Sequence, residues 1–115
     1  MAYTMGSKYV ADTLVAYGVT HIFWVPAGFV QTVAALQGSG VKRVLAHNEK
    51  SAAYMADGYA RASGRPGVCM AQAIGAANLA AGVADAYMAS SPVIAMTGAL
   101  NPLQRYRHAY QEFEH

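Results

Sequence analysis

Charge is scarce in this chain: Asp, Glu, Lys and Arg make up 12% of its 115 residues, while 55% are hydrophobic. Such a composition fills a core but leaves little polar cover, which points to a surface hidden against a partner, most simply another copy of the chain. The net charge is +2 and no basic cluster exists beyond Arg105 and Arg107, so the concentrated phosphate-neutralising patch that nucleic acid requires is missing. A single cysteine, Cys69, lies in the apolar run Val68-Cys69-Met70, which excludes an internal disulfide and reads as a buried thiol in a reducing compartment. The longest low-charge stretch, 66–85, is interrupted by Gln72, Asn78 and several glycines, so a membrane span is not expected. Residues 1–6 lack the charged start and apolar segment of a secretory signal, and a cytoplasmic protein is the default reading. His108 and His115 have neither metal-ligand spacing nor a third ligand, so no metal site is expected within the chain.

What is present is a regular alternation, on a length that suits one domain. Ser7 can cap a helix carrying Val10, Leu14 and Tyr17 at helical spacing, closed by Gly18. His21-Ile22-Phe23-Trp24-Val25 is a nearly continuous apolar run stopped by Pro26-Ala27-Gly28, as in strands buried on both faces. A helix over 29–37 follows, then a strand over 41–46, a helix over 49–62, a turn at 63–67, a strand over 68–72, a helix over 77–88 and a strand over 93–97. Strands alternating with helices at this spacing predict an α/β fold, a parallel sheet with helices on both faces. No Gly-x-Gly-x-x-Gly follows the first strand, which excludes a generic nucleotide-binding domain.

In an open parallel sheet, ligands bind beyond the carboxyl ends of the strands. The segments 25–28, 47–49, 73–76 and 98–100 leave those ends, and only one of them carries a carboxylate. Of the six acidic residues, Asp12, Asp57 and Asp85 fall in helices and Glu112 and Glu114 in the tail; Glu49 alone stands where a strand ends, amid glycines and apolar side chains. A carboxyl there loses hydration and can share a proton with a bound base. It can equally be an acid that opens a helix, favoured by the positive end of the helix dipole. Physical reading leaves both open.

The residues around Glu49 carry a resemblance. His47-Asn48-Glu49, a run of small residues, and then Ala56-Asp57-Gly58-Tyr59-Ala60-Arg61 resemble the pattern of the thiamine-diphosphate enzymes related to acetolactate synthase, pyruvate oxidase and glyoxylate carboligase. Tyr17-Gly18-Val19-Thr20-His21-Ile22-Phe23 with Val25-Pro26, Gly75-Ala76-Ala77-Asn78-Leu79, Asp85-Ala86-Tyr87-Met88, 92–98 and Tyr110-Gln111-Glu112 continue it in order over nearly the whole chain. The resemblance implies that 1–115 is an N-terminal pyrimidine-binding domain, incomplete at its C-terminal end, of a 2-oxo acid decarboxylase or carboligase. It implies that Glu49 hydrogen-bonds the coenzyme's aminopyrimidine and promotes the imino tautomer and ylid formation.

Other positions are carried over more loosely. Val25 and Pro26 match a loop that approaches the pyrimidine, although a proline after a strand is also a structural stop. Gly75 and Asn78 fall where a loop and helix start face the site, and Asn78 either faces it or only caps the helix. Gln111 resembles a family glutamine that reaches substrate. The helix with Ala52, Ala53, Ala56, Gly58, Ala60 and Ala62 matches one used at a dimer contact, with a plain buried helix as the alternative.

The chain departs from the pattern at Trp24 and Ala27, where many members have Gly, and at Gln72-Ala73-Ile74-Gly75, where they often have Ser-Gly-Pro-Gly. Trp24 is expected to add bulk beside the cofactor loop. The Gly-Asp-Gly segment and following Asn that hold the diphosphate and Mg²⁺ in the family are not in these residues. The chain is therefore expected to be part of a longer polypeptide, or less simply a split subunit, with Mg²⁺ bound elsewhere and FAD left open. A non-catalytic pairing module built on the same fold is the competing reading.

Overall fold

The computed structural model describes residues 5–99, 103 and 106–112. The elements run α1 (Gly6–Ala16), β1 (His21–Trp24), α2 (Val30–Ala35), β2 (Lys42–Leu45), α3 (Glu49–Ser63), β3 (Gly67–Ala71), α4 (Gly75–Met88) and β4 (Val93–Thr97). The best-marked boundaries are those of α3. The Asn48 side chain accepts a hydrogen bond from the Ser51 amide at 2.8 Å, satisfying one of the free donors of the first turn, and Gly64 at φ 67° supplies the left-handed exit. At α1 the expected cap fails: Ser7 lies inside the first turn, the cap position is Met5, and no side chain bonds there. Tyr17, read as an apolar helix position, is instead the α1 C-cap and is 85% exposed.

The four strands are parallel, in the order β2-β1-β3-β4, with Ile22 opposite Arg43 and Val68, and Val68 opposite Ile94. Side chains alternate across the central strands. Ile22, Trp24, Val68 and Met70 meet Ala11 and Leu14 of α1 and Val33 of α2, while Phe23, Cys69 and Ala71 meet Ala52, Ala53 and Ala56 of α3 and Leu79 of α4. Helices thus cover both faces, as the alternation of elements predicts. Cys69 is fully buried, and burial raises its thiol pKa to about 11, consistent with an inert core residue.

Trp24 corrects a sequence expectation. It belongs to the core cluster on the α1/α2 face, opposite the face that α3 covers, so its bulk goes into that core layer, against which Phe29 also packs. The alanines of α3 are used within the chain: Ala52, Ala53 and Ala56 are fully buried, and a β-carbon on Gly82 would come within 2.6 Å of Ala53 Cβ. Two helix backbones can approach this closely only because the residues between them are small. Gly58, on the same helix, is exposed. No helix among the described residues is long and apolar enough to cross a membrane.

Candidate active site at the carboxyl ends of the strands

The strand order adds a feature that the sequence did not show. From β1 the chain steps to β2 on one side, then returns past β1 to β3 and β4 on the other. The direction of winding therefore reverses between β1 and β3, and ligands of open α/β sheets bind outside the strand ends at such a switch point. The loops leaving β1, β3 and β4 close together there. A β-carbon on Gly28 would lie 3.2 Å from Gln72 Cα, and one on Gly98 would lie 3.8 Å from the same atom.

Glu49 reaches this place from β2. It is the first residue of α3 and is half-buried. Asn48 does the capping, so the Glu49 side chain is free to engage the first turn of α4 across the end of β1. Asn78 Nδ2 donates to Glu49 Oε2 at 3.1 Å. A β-carbon on Gly75 would lie 3.0 Å from both Glu49 Cγ and Oε1. The absence of a side chain at 75 is thus what makes room for the carboxyl. Among the described residues, Oε1 has no hydrogen-bond donor and no cation pairs with Glu49.

Three of the sequence-derived candidates, Glu49, Gly75 and Asn78, therefore meet directly. Asn78 is not the helix cap: the α4 cap position is Ile74, no side chain bonds there, and the Asn78 amide donates to Glu49. Helix α4 starts at Gly75, two residues earlier than expected, which is why its first turn can border the carboxyl. Val25 packs against the same apolar cluster as α3, on the Glu49 side of the sheet, and Pro26 is exposed in the turn after β1. Gln111 is half-buried at φ 62°; its Oε1 is enclosed without a hydrogen-bond partner, and no hydrogen bond links it to Glu49 among the described residues. Leu100, Arg105, Glu114 and His115, which entered the sequence reading, lie outside the described residues.

Sequence reasoning missed the close approach of Gly28 to Gln72. The signal was the glycine itself, two residues after Pro26 in a strand-end turn. Two hollows, of about 420 Å³ between α1 and β4 and about 480 Å³ beside α1 and α2, do not include Glu49. No three His, Cys, Asp or Glu side chains gather among the described residues in a way that could hold a metal ion.

The domain thus places a half-buried carboxyl at the switch-point edge of a parallel sheet, beside a glycine and a neutral amide. Comparison with known proteins narrows the class. Residues 4–115 match the family described as thiamine pyrophosphate enzyme, N-terminal TPP binding domain, thiamine pyrophosphate being the same compound as thiamine diphosphate. The chain is 39% identical over 115 positions to acetolactate synthase of Arthrospira platensis, covering 95% of the chain and 20% of that protein. It is 41% identical over 111 positions to the acetolactate synthase isozyme 2 large subunit of Escherichia coli K12, and 36% over 111 to acetolactate synthase of Bacillus subtilis 168, with the same coverage in both. The chain belongs to the thiamine-diphosphate enzyme family and corresponds to its N-terminal coenzyme-binding domain. It spans about a fifth of the length of the curated relatives it matches.

Proposed function

We propose that this domain binds the aminopyrimidine end of thiamine diphosphate in a 2-oxo acid decarboxylase or carboligase of the acetolactate synthase type, with Glu49 as the acid that exchanges a proton with the ring. One observation carries this reading: in a chain of this family, the sole strand-end carboxyl among the described residues has a neutral partner and one oxygen without a donor. A carboxyl so placed can hold a proton toward a ring nitrogen or take it back, whereas a salt-bridged carboxylate is locked in its charged form.

The residues fit the coenzyme's ring. Glu49 would hold its proton-accepting nitrogen and favour the imino tautomer, Gly75 leaves the space the carboxyl occupies, and Val25 lines the approach from β1. When bound, thiamine diphosphate supplies an electron sink for cleaving the bond beside a 2-oxo acid's carbonyl. Glu49 in this reading sets the protonation of the ring, and the loops of Gly28, Gln72 and Gly98 converge at the same edge of the sheet. In this reading the diphosphate and Mg²⁺ are held by a domain beyond this chain, the site is completed in a homo-oligomer, and the protein works in the cytoplasm.

The competing reading, a non-catalytic pairing module, draws on the altered segment Gln72-Ala73-Ile74. Within that segment's continuation, Gly75 keeps its tight contact with Glu49, which such a module has no need of. Replacing Glu49 by Gln in the full-length protein tests the two. Loss of most activity with coenzyme still bound supports the catalytic reading; retention of most activity overturns it.

A further inference from the structure

We propose that Asn78 is a positioning residue for Glu49, acting through its carboxamide on the acid instead of on the coenzyme. The inference rests on the proposed role of Glu49. Asn78 stands in the first turn of α4 but does nothing for that helix: the cap position belongs to Ile74. Nor does it fill the core, because it is exposed. Its recorded hydrogen bond runs to a carboxyl 29 residues away in sequence, on a different helix, at 3.1 Å.

The chemistry of the pair suits an acid that gains and loses a proton. A carboxamide donates through its NH₂ to a carboxylate and, turned over, accepts through its carbonyl from a carboxylic acid. Asn78 therefore gives Oε2 a partner in either state. An arginine there would hold the acid in its charged form by direct charge attraction, and an aspartate would repel it. Gly75 completes the arrangement from the same turn: with a β-carbon only 3.0 Å from Cγ and Oε1, any other residue would push the carboxyl aside. The first turn of α4 thus anchors one oxygen and leaves the other, Oε1, without a donor among the described residues.

The test uses the full-length protein and the variants Asn78→Ala, Asn78→Asp and Glu49→Gln. Four quantities are measured: kcat, the Kd for thiamine diphosphate with Mg²⁺ by calorimetric titration, the melting temperature, and the Glu49 rotamer in crystals grown without coenzyme. A lost hydrogen bond to a charged group is expected to lower kcat about tenfold in Asn78→Ala, with Kd changed less than about threefold, an unchanged melting temperature and Glu49 in more than one rotamer. Asn78→Asp, nearly the same shape, is expected to lower kcat further, because like charges then face each other; a purely space-filling role would leave it near wild type. Unchanged kcat in both Asn78 variants while Glu49→Gln is inactive overturns the positioning role alone. A Kd weakened tenfold with kcat intact at saturating coenzyme also overturns it, because Asn78 would then be a direct coenzyme ligand. Full activity in Glu49→Gln overturns this inference together with the role of Glu49 on which it rests.

Discussion

Helix α3 carries two shielded carboxyl groups two turns apart, and they are treated in opposite ways. Asp57 is buried at 5% exposure and gripped by Arg61, whose Nε lies 3.0 and 2.9 Å from its two oxygens and whose Nη2 adds a contact at 2.8 Å. The Arg61 guanidinium holds the Asp57 carboxyl below its ordinary value of 3.8 against the opposing effect of burial. Glu49, at the mouth of the same helix, has an amide for a partner and no cation among the described residues. In the proposed reading, the difference separates an acid that holds the fold together from one that serves the coenzyme. A carboxyl that only has to be buried is given its counter-charge, while one that must pass a proton is fixed in place by neutral groups.

This contrast can be broken most sharply at its chemical end. Glu49→Gln in the full-length protein is expected to lower kcat by about two orders of magnitude or more, the usual range for removing a general acid–base group, with little change in melting temperature. Gly75→Ala comes next. Its new methyl would press on Glu49 Cγ and Oε1 at 3.0 Å, so turnover is expected to fall about tenfold with a smaller change in coenzyme affinity, measured by steady-state kinetics and titration.

At the structural end the effect moves from turnover to stability. Asp57→Asn is expected to lower the melting temperature by several degrees and to leave kcat near wild type below that temperature. The pH dependence follows from the sign of the shift. The folded pKa of Asp57 lies below its unfolded value, so its contribution is complete above pH of about 4 and is lost as pH falls through the folded value. Acid unfolding curves of wild type and Asp57→Asn are therefore expected to converge in the acid range and to separate toward neutrality. The smallest effect belongs to Cys69: its buried thiol, with a pKa raised to about 11, is expected to resist thiol reagents at neutral pH until the protein unfolds, a mass-spectrometric measurement.

The sheet and the place of Glu49 were legible in the sequence, the partners of the two carboxyls were not, and the illegible part has identifiable causes. The alternation of strand-like runs and helical periods sufficed for the parallel sheet, and topology then put Glu49 at its ligand edge. The helix expected over 49–62 and the turn after it match α3 to within a residue at its end, where the structure adds the Asn48 cap and the Gly64 exit. Ser7 misled because a hydroxyl near a helix start marks a cap only when the backbone places it just outside the first turn. The face of Trp24 was hidden because a strand buried on both sides has no polar alternation by which to orient it. The partner of Asn78 was hidden for a different reason. A contact between positions 49 and 78 depends on which strands are neighbours, and the order β2-β1-β3-β4 brings the end of β2 and the start of α4 to either side of β1.

The contrast between the two carboxyls of α3 is tested most directly by measuring kcat and melting temperature together for Glu49→Gln and Asp57→Asn in the full-length, coenzyme-loaded protein. The expected result is a split: Glu49→Gln loses turnover at an unchanged melting temperature, and Asp57→Asn loses melting temperature at a nearly unchanged turnover. A Glu49→Gln protein that binds coenzyme and keeps most of its turnover would contradict the assignment of chemistry to Glu49.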